Sequence, residues 1–100
     1  MDSRIGQFDV VQVGNVLVVV IDSDLLDTQT NRVGIPLVRA GEIVPLRHLN
    51  PIFVLDGRDM MLLPQQMTSL PTNELDDVIG TLAHERDRIT RAIDTLLLGI

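Results

Sequence analysis

The first two thirds of the chain carry short apolar runs that are separated by turn residues. β-Branched side chains dominate these runs, and the dipeptides Gly14-Asn15 and Asp56-Gly57 each separate two of them. Such dipeptides favour tight turns between antiparallel strands. The pattern predicts three strand regions, of which the first and the last are hairpins: residues 8–21, 32–38 and 52–63.

Prolines and a glycine shape the region between the two hairpins. Pro36 lies within the middle strand, and because proline has no N–H to donate we expect it near an edge or a bend of the sheet. Residues 38–51 contain Gly41, Pro45 and Pro51, so this segment is predicted to be a connection rather than a strand.

After Pro71 the apolar residues are spaced as in a helix, most clearly from Ala83 to Leu98. At about 100° per residue, one face of this helix carries Leu82, Ile89, Ile93 and Leu96, with Ala92 and Leu97 on its flanks. The opposite face carries Asp87, Arg91, Asp94 and Leu98. Gly99 favours the left-handed conformation that ends a helix. A single exposed leucine needs no explanation, but contact of Leu98 with a partner is the favoured interpretation.

These elements predict a mainly β (α+β) fold, a small barrel-like antiparallel sheet closed by one C-terminal helix. One hundred residues with 45% apolar content suffice for one small core, so we expect a single domain over residues 1–100. The apolar runs are shorter than the roughly 20 residues that cross a bilayer, and the N-terminus does not resemble a secretory signal. A cytoplasmic location is therefore expected.

Composition narrows the kinds of partner. The formal net charge is -6, and the chain has no cysteine, tryptophan or tyrosine. Nucleic-acid affinity rests on cations that release counterions, and base stacking needs aromatic rings, so a protein partner is favoured. The absence of cysteine removes disulfides, thiolate catalysis and cysteine-based zinc sites.

A cluster of oxygen-bearing side chains follows the first hairpin. It consists of Asp22, Ser23, Asp24 and Asp27. Such oxygens could bind a hard cation, but the segment lacks the glycine of a calcium loop, and Asp and Ser are ordinary turn formers. Leu25 and Leu26 lie inside this acidic loop, and an apolar tip on a polar loop suggests contact with another molecule.

The sequence shows no catalytic motif. His48 and His84 are far apart along the chain, and no serine has the GxSxG context of a nucleophile. A triad that forms only in space stays open. Binding is nevertheless favoured over catalysis, and no cofactor or metal is expected.

Three stretches together resemble the CcdB family of toxins from toxin–antitoxin systems. They are VVVIDSDLLDTQTNRVGIPL, LNPIFVLDGRDMMLLPQQMTSLP and LAHERDRITRAIDTLLLGI, in the same order and at similar spacing. The resemblance runs from about Val18 to Ile100. It implies a homodimer of five-stranded barrels with a minor sheet and a C-terminal helix, a fold shared with the ribonuclease toxins MazF and Kid.

The resemblance also implies a function without catalysis by the toxin. CcdB-like toxins bind the A subunit of DNA gyrase and trap the enzyme on cleaved DNA. A CcdA-like antitoxin neutralises them and supplies the operator DNA contacts when the complex represses its own operon. The family's gyrase-binding surface corresponds here to Leu25, Leu26, Asp94, Leu98, Gly99 and Ile100.

The family's best-known toxin differs from this chain at two of these positions, with a tryptophan at that of Leu98 and an asparagine at that of Asp94. Two alternatives to gyrase poisoning stay open. One is a non-toxic family member that still binds its antitoxin, and the other is a MazF-like endoribonuclease.

Overall fold

The computed structural model describes residues 5–24 and 30–99. Within these residues seven strands and one α-helix follow one another. They are β1 (Asp9–Val13), β2 (Val16–Val20), β3 (Asn31–Arg39), β4 (Ile52–Leu55), β5 (Arg58–Leu62), β6 (Thr68–Pro71), β7 (Val78–Thr81) and α1 (Arg86–Leu98). Short helical turns lie at Pro64–Gln66, Thr72–Glu74 and Ala83–Glu85.

All strand pairs are antiparallel, and the strands lie in the order β4-β5-β3-β2-β1-β7, with β6 also paired to β3. The sheet curls so that its end strands approach each other, since a Cβ at Gly80 would lie 3.4 Å from Leu55 Cδ1. The predicted fold class, a barrel-like β-sheet with a C-terminal helix, is confirmed. The described strands belong to one seven-stranded sheet, where five strands and a minor sheet were expected.

Both predicted hairpins form, because their turn residues adopt positive φ angles. Gly14 has a φ of 59° between Val13 and Val16, which are partners across β1 and β2. Asp56 and Gly57 have φ angles of 54° and 77° in the turn between β4 and β5. In the β4–β5 turn both central residues have positive φ, and in the β1–β2 turn the first central residue does. Both arrangements give a turn whose twist matches that of the two strands.

Strand β3 has neighbours on both sides, so Pro36 does not lie in an edge strand, one of the two positions expected for it. It pairs with β2 on one side, and on the other with β6 through residues 31–34 and with β5 through residues 37–39. Pro36 lies where β3 passes from β6 to β5, and there its missing N–H interrupts neither pairing. Its carbonyl accepts a hydrogen bond from Leu63 N at 3.0 Å.

The predicted connection between β3 and β4 is confirmed, because residues 40–51 form turns and no strand. The buried side chain of Asn50 fixes the C-terminal end of this connection. Asn50 Oδ1 accepts a hydrogen bond from Leu46 N at 2.9 Å, while Asn50 Nδ2 donates to Leu62 O and Gln65 Oε1 at 3.0 Å each.

The inner face of the sheet and the helix share one hydrophobic core. Its buried members are Phe8, Val10, Val19, Ile35, Leu37, Phe53, Met60, Leu62, Leu82, Ile89 and Ala92. Ile93 packs against them, which confirms the direction of the predicted helical stripe. Leu96 is 37% exposed and Leu97 is 69% exposed, so the expectation that Leu97 flanks the core is wrong. The core ends about one turn before the helix does.

The outer face of the sheet carries a second, smaller cluster. Val11, Val18 and Val20 are buried there against Ile5, Val13, Leu70 and Leu75. The covering residues Leu70 and Leu75 come from β6 and the segment after it, a region where the sequence pattern predicts no strand. Strand β7 likewise lies within the region of predicted helical spacing. No helix in the described ranges is long and apolar enough to cross a membrane.

Gly34 lies in β3 at a position that has no room for a side chain. A Cβ there would overlap Cγ1 of Val18, whose side chain is buried. We expect Gly34→Ala to lower the free energy of unfolding by about 1–3 kcal/mol through overpacking, as measured by urea denaturation. The control is Gly80→Ala, whose new methyl would meet Leu55 Cδ1 at 3.4 Å. Equal losses in the two variants would contradict the steric explanation.

Candidate functional site

The last turn of α1 exposes a group of residues that we call the helix end: Asp94, Leu97, Leu98 and Gly99. Leu97 and Leu98 are 69% and 67% exposed, and Asp94 is also exposed. Residues three and four apart are neighbours on a helix surface, so these three side chains form one surface. It combines two apolar side chains with one carboxylate.

Gly99 ends the helix as the sequence predicts. Its φ of 72° is left-handed, and its N–H donates to Thr95 O at 2.9 Å. This bond pairs a carbonyl that the end of a helix otherwise leaves without a donor. Thr95 Oγ1 in turn donates to Arg91 O at 2.9 Å. Hydrogen bonds therefore fix the geometry of the last turn, although its leucines receive little support from the core.

The structure brings three of the six predicted gyrase-binding residues together, namely Asp94, Leu98 and Gly99. The other three, Leu25, Leu26 and Ile100, lie outside the described residues. Leu97 joins the same surface, and the sequence reasoning missed it. The helical wheel places Leu97 at the border of the buried stripe, where direction alone does not decide exposure.

A buried ion pair joins the two ends of the acidic loop. Arg32 Nε lies 2.8 Å from Asp22 Oδ2, with the two side chains 8% and 10% exposed. Asp22 Oδ1 also accepts a hydrogen bond from Val33 N at 3.1 Å, and Arg32 Nη1 donates to Ile5 O at 2.7 Å. The pair therefore connects the end of β2, the start of β3 and the N-terminal segment. The sequence reasoning did not single out Arg32.

The second described carboxylate of the acidic loop also binds protein donors. Asp24 Oδ1 accepts a hydrogen bond from Gln7 N at 2.8 Å and lies 3.9 Å from Arg32 Nη2. Asp27 lies outside the described residues. Residues 5–24 and 30–99 contain no group of three acidic or histidine side chains placed to hold a metal ion. The Asp22 and Asp24 carboxylates therefore accept hydrogen bonds from distant segments, a role that differs from the local turn formation predicted for them.

Neither histidine has a catalytic setting in the described part of the chain. His48 and His84 are exposed, and their rings form no hydrogen bond with the residues described. His48 adopts a φ of 66° in the connection before β4, where the Asn50 hydrogen bonds hold the backbone. Among the described residues, neither histidine is therefore part of a hydrogen-bonded group of side chains.

The curled antiparallel sheet and its C-terminal helix define a small toxin fold of the CcdB and MazF type. A model of the family described as CcdB protein matches residues 7–99, so this chain belongs to the CcdB family.

Two solved structures are similar to this chain in fold. An endoribonuclease from mycobacterial species matches with a TM-score of 0.76 at 15% identity, covering 97% of this chain and 93% of that chain. An endoribonuclease in complex with its cognate antitoxin, also from mycobacterial species, matches with a TM-score of 0.76 at 12% identity, covering 94% and 95%. At these identities the likeness shows a common fold.

Proposed function

We propose that this protein is the toxin of a type II toxin–antitoxin module, and that it binds the DNA gyrase A subunit and traps gyrase on cleaved DNA. The observation that carries the proposal is the apolar helix end on a member of the CcdB family. Leu97 and Leu98 are each about two thirds exposed beside the Asp94 carboxylate. Adjacent exposed apolar side chains rimmed by polar ones are typical of protein interfaces.

The proposed gyrase-binding surface consists of Leu25, Leu26, Asp94, Leu98, Gly99 and Ile100, to which we add Leu97. Leucine is less common than aromatic residues among interface hot spots, so several apolar side chains must share the binding energy. Burying one leucine contributes about 1.5–3 kcal/mol. Two adjacent leucines at the helix end can therefore offset the absence of a tryptophan. The Asp94 carboxylate can pair with an arginine of gyrase.

The toxin acts in this proposal by binding and needs no cofactor. Residues 1–100 form a single toxin domain that works as a cytoplasmic homodimer in bacteria, and a CcdA-like antitoxin neutralises it. The antitoxin also supplies the operator contacts for autoregulation of a plasmid-maintenance locus. Two observations support these partners: a structural neighbour was solved with its cognate antitoxin, and a net charge of -6 disfavours direct DNA binding.

A gyrase cleavage assay with the purified protein tests the proposal. We expect the wild-type protein to produce double-strand breaks in supercoiled DNA when gyrase, ATP and then detergent are added. A variant that lacks residues 98–100 should produce none, with an unchanged circular dichroism spectrum. If the wild-type protein yields no cleaved DNA and does not bind the gyrase A fragment, the proposal fails.

The fold likeness to two endoribonucleases favours a second candidate function, cleavage of RNA. The described residues give it little support, because both histidines lack partners and the net charge is -6. We expect a long RNA to stay intact after incubation with the protein. Discrete RNA fragments would favour the ribonuclease instead, provided that they form with an RNase-free preparation of the protein and do not form with a heat-inactivated sample.

A third candidate is a family member that binds its antitoxin but no longer acts on gyrase, and Leu98 is the residue that motivates it. Expression in a gyrase-sensitive host separates this candidate from the first. Growth arrest that is relieved by removing residues 98–100 would exclude the non-toxic interpretation.

A further inference from the structure

A cavity of about 600 Å³ opens into the inner face of the sheet, and no residue of α1 lines it. We call this cavity the barrel mouth. Its floor is apolar and is formed by Leu17, Leu37, Leu55 and Met60. The turns that join β1 to β2 and β4 to β5 form parts of its wall, together with Ile79 of β7. Its size lies within the range of about 300–1,000 Å³ that is usual for ligand sites.

Strand alternation places two arginines at the rim of the barrel mouth. Arg39 is the partner of Met60 across β3 and β5, and Arg58 precedes Met60 by two residues, so all three share the inner face. Met60 is buried, whereas Arg39 and Arg58 are exposed. Neither guanidinium forms an ion pair or a hydrogen bond with the described residues. Within the described residues, two guanidinium groups thus lie beside an apolar floor without a partner.

The rim also carries two carboxylates, those of Glu42 and Asp56. The formal charges of the two arginines and the two acids cancel. A polyanion such as RNA would meet these carboxylates and a net charge of -6. A neutral apolar ligand would desolvate the arginines without giving them partners, which costs free energy. A peptide with apolar and charged side chains matches both the floor and the rim.

We propose that the barrel mouth binds an extended segment of a protein partner, in which an acidic side chain lies next to an apolar one. The carboxylate pairs with Arg39 and Arg58, since the planar guanidinium fork fits a carboxylate, and the apolar side chain packs on Leu37 and Met60. The antitoxin is the source of this segment, and in that respect the proposal rests on the proposed function. The barrel mouth and the helix end share no residue.

Two dyes with the same ring system test the chemistry of the site. 8-Anilino-1-naphthalenesulfonate carries an anionic group, whereas N-phenyl-1-naphthylamine is uncharged, and the chain has no tryptophan or tyrosine to interfere with their fluorescence. We expect Arg39→Gln/Arg58→Gln to bind the sulfonate dye about tenfold more weakly than the wild type, because charge-assisted hydrogen bonds are lost. Binding of the uncharged dye should stay the same.

The matched control is Arg47→Gln/Arg86→Gln, which removes the same charge from exposed positions outside the barrel mouth. It should keep wild-type affinity for both dyes. A sulfonate affinity that falls equally in the two double variants, or in neither, overturns the proposal.

Competition for the bound sulfonate dye identifies the kind of partner. Acetyl-Leu-Glu-Leu-amide should displace the dye at a lower concentration than acetyl-Leu-Gln-Leu-amide does. A single-stranded RNA of about 12 nucleotides that displaces it at lower concentrations than either peptide would overturn the peptide proposal in favour of a nucleic acid.

The dye-binding measurements test the barrel mouth independently of gyrase poisoning, because Arg39→Gln/Arg58→Gln should retain wild-type activity in the gyrase cleavage assay. Normal cleavage together with unchanged dye binding overturns the barrel-mouth proposal alone. Absence of cleavage by the wild type together with the tenfold dye effect overturns the gyrase proposal alone.

Discussion

Replacing Arg32 by methionine is expected to lower the free energy of unfolding by about 3–5 kcal/mol, because it leaves a buried carboxylate without its cation. The guanidinium lies 2.8 Å from Asp22 Oδ2 and donates to Ile5 O at 2.7 Å. Once it is gone, the Asp22 carboxylate keeps a hydrogen bond from Val33 N but has no buried counter-charge. Domains are stable by about 5–15 kcal/mol, so the loss is a large fraction of the total.

Urea denaturation of Arg32→Met and of two companion variants measures this effect. Arg47→Met changes an exposed arginine that has no partner among the described residues, and its effect should stay within about 0.5 kcal/mol. Asp22→Leu/Arg32→Met replaces both members of the pair by apolar side chains and should recover much of the loss. If the double variant is no more stable than Arg32→Met, the uncompensated Asp22 charge is not the cause.

The Arg32 ion pair also bears on binding, because it joins the two ends of the acidic loop. Leu25 and Leu26 lie between Asp22 and Arg32 in the sequence, and the ion pair fixes the chain on both sides of them. In the proposed function Leu25 and Leu26 bind gyrase, and the ion pair holds both ends of their loop in place. Arg32→Met should therefore weaken gyrase binding even at temperatures where the variant stays folded.

The elements predicted well from the sequence are those whose pattern is long, as in the helix, or confined to neighbouring residues, as in the tight turns. The two hairpins have glycine-containing turns, and the 13-residue helix has a full amphipathic period. Strands β6 and β7 have four residues each, and their partners β3 and β1 lie far away in the sequence. So short a strand shows little alternation, and only pairing in the folded chain defines it.

The sequence predicts which side of the helix end faces outward, but not how many of its residues lie beyond the core. Helical periodicity gives the side of the helix on which a residue lies, and it correctly placed Leu98 outward. It contains no information on where along the axis the core ends, and for this reason Leu97 was misplaced. The sequence pattern indicates the burial of Arg32 even less clearly than the exposure of Leu97, since a charged residue at the start of an apolar strand usually reaches solvent.

Leu98→Glu is expected to reduce gyrase poisoning by about 100-fold or more and to leave the stability unchanged. The variant loses about 1.5–3 kcal/mol of leucine burial and places an uncompensated charge in the proposed interface. The fold does not depend on this side chain, because it is 67% exposed in the free protein. The protein concentration that gives half-maximal DNA cleavage by gyrase measures the effect.

Val44→Glu is the matched control for Leu98→Glu. Val44 is 83% exposed in the connection between β3 and β4, so the substitution adds the same charge to an apolar position that is more accessible than Leu98 and lies outside the helix end. It should leave gyrase poisoning unchanged. Equal losses of activity in the two variants would assign the effect to net charge rather than to the helix end.

Leu98→Trp tests the same contact in the opposite direction. An indole adds apolar area and offers a face to a cation, which contributes about 0.5–2 kcal/mol and should raise potency about two- to thirtyfold. A gain with Leu98→Trp and a loss with Leu98→Glu would mean that leucine makes the same contact as the family tryptophan with less energy. If both variants are as potent as the wild type, Leu98 does not touch gyrase, and the binding surface lies elsewhere on the molecule.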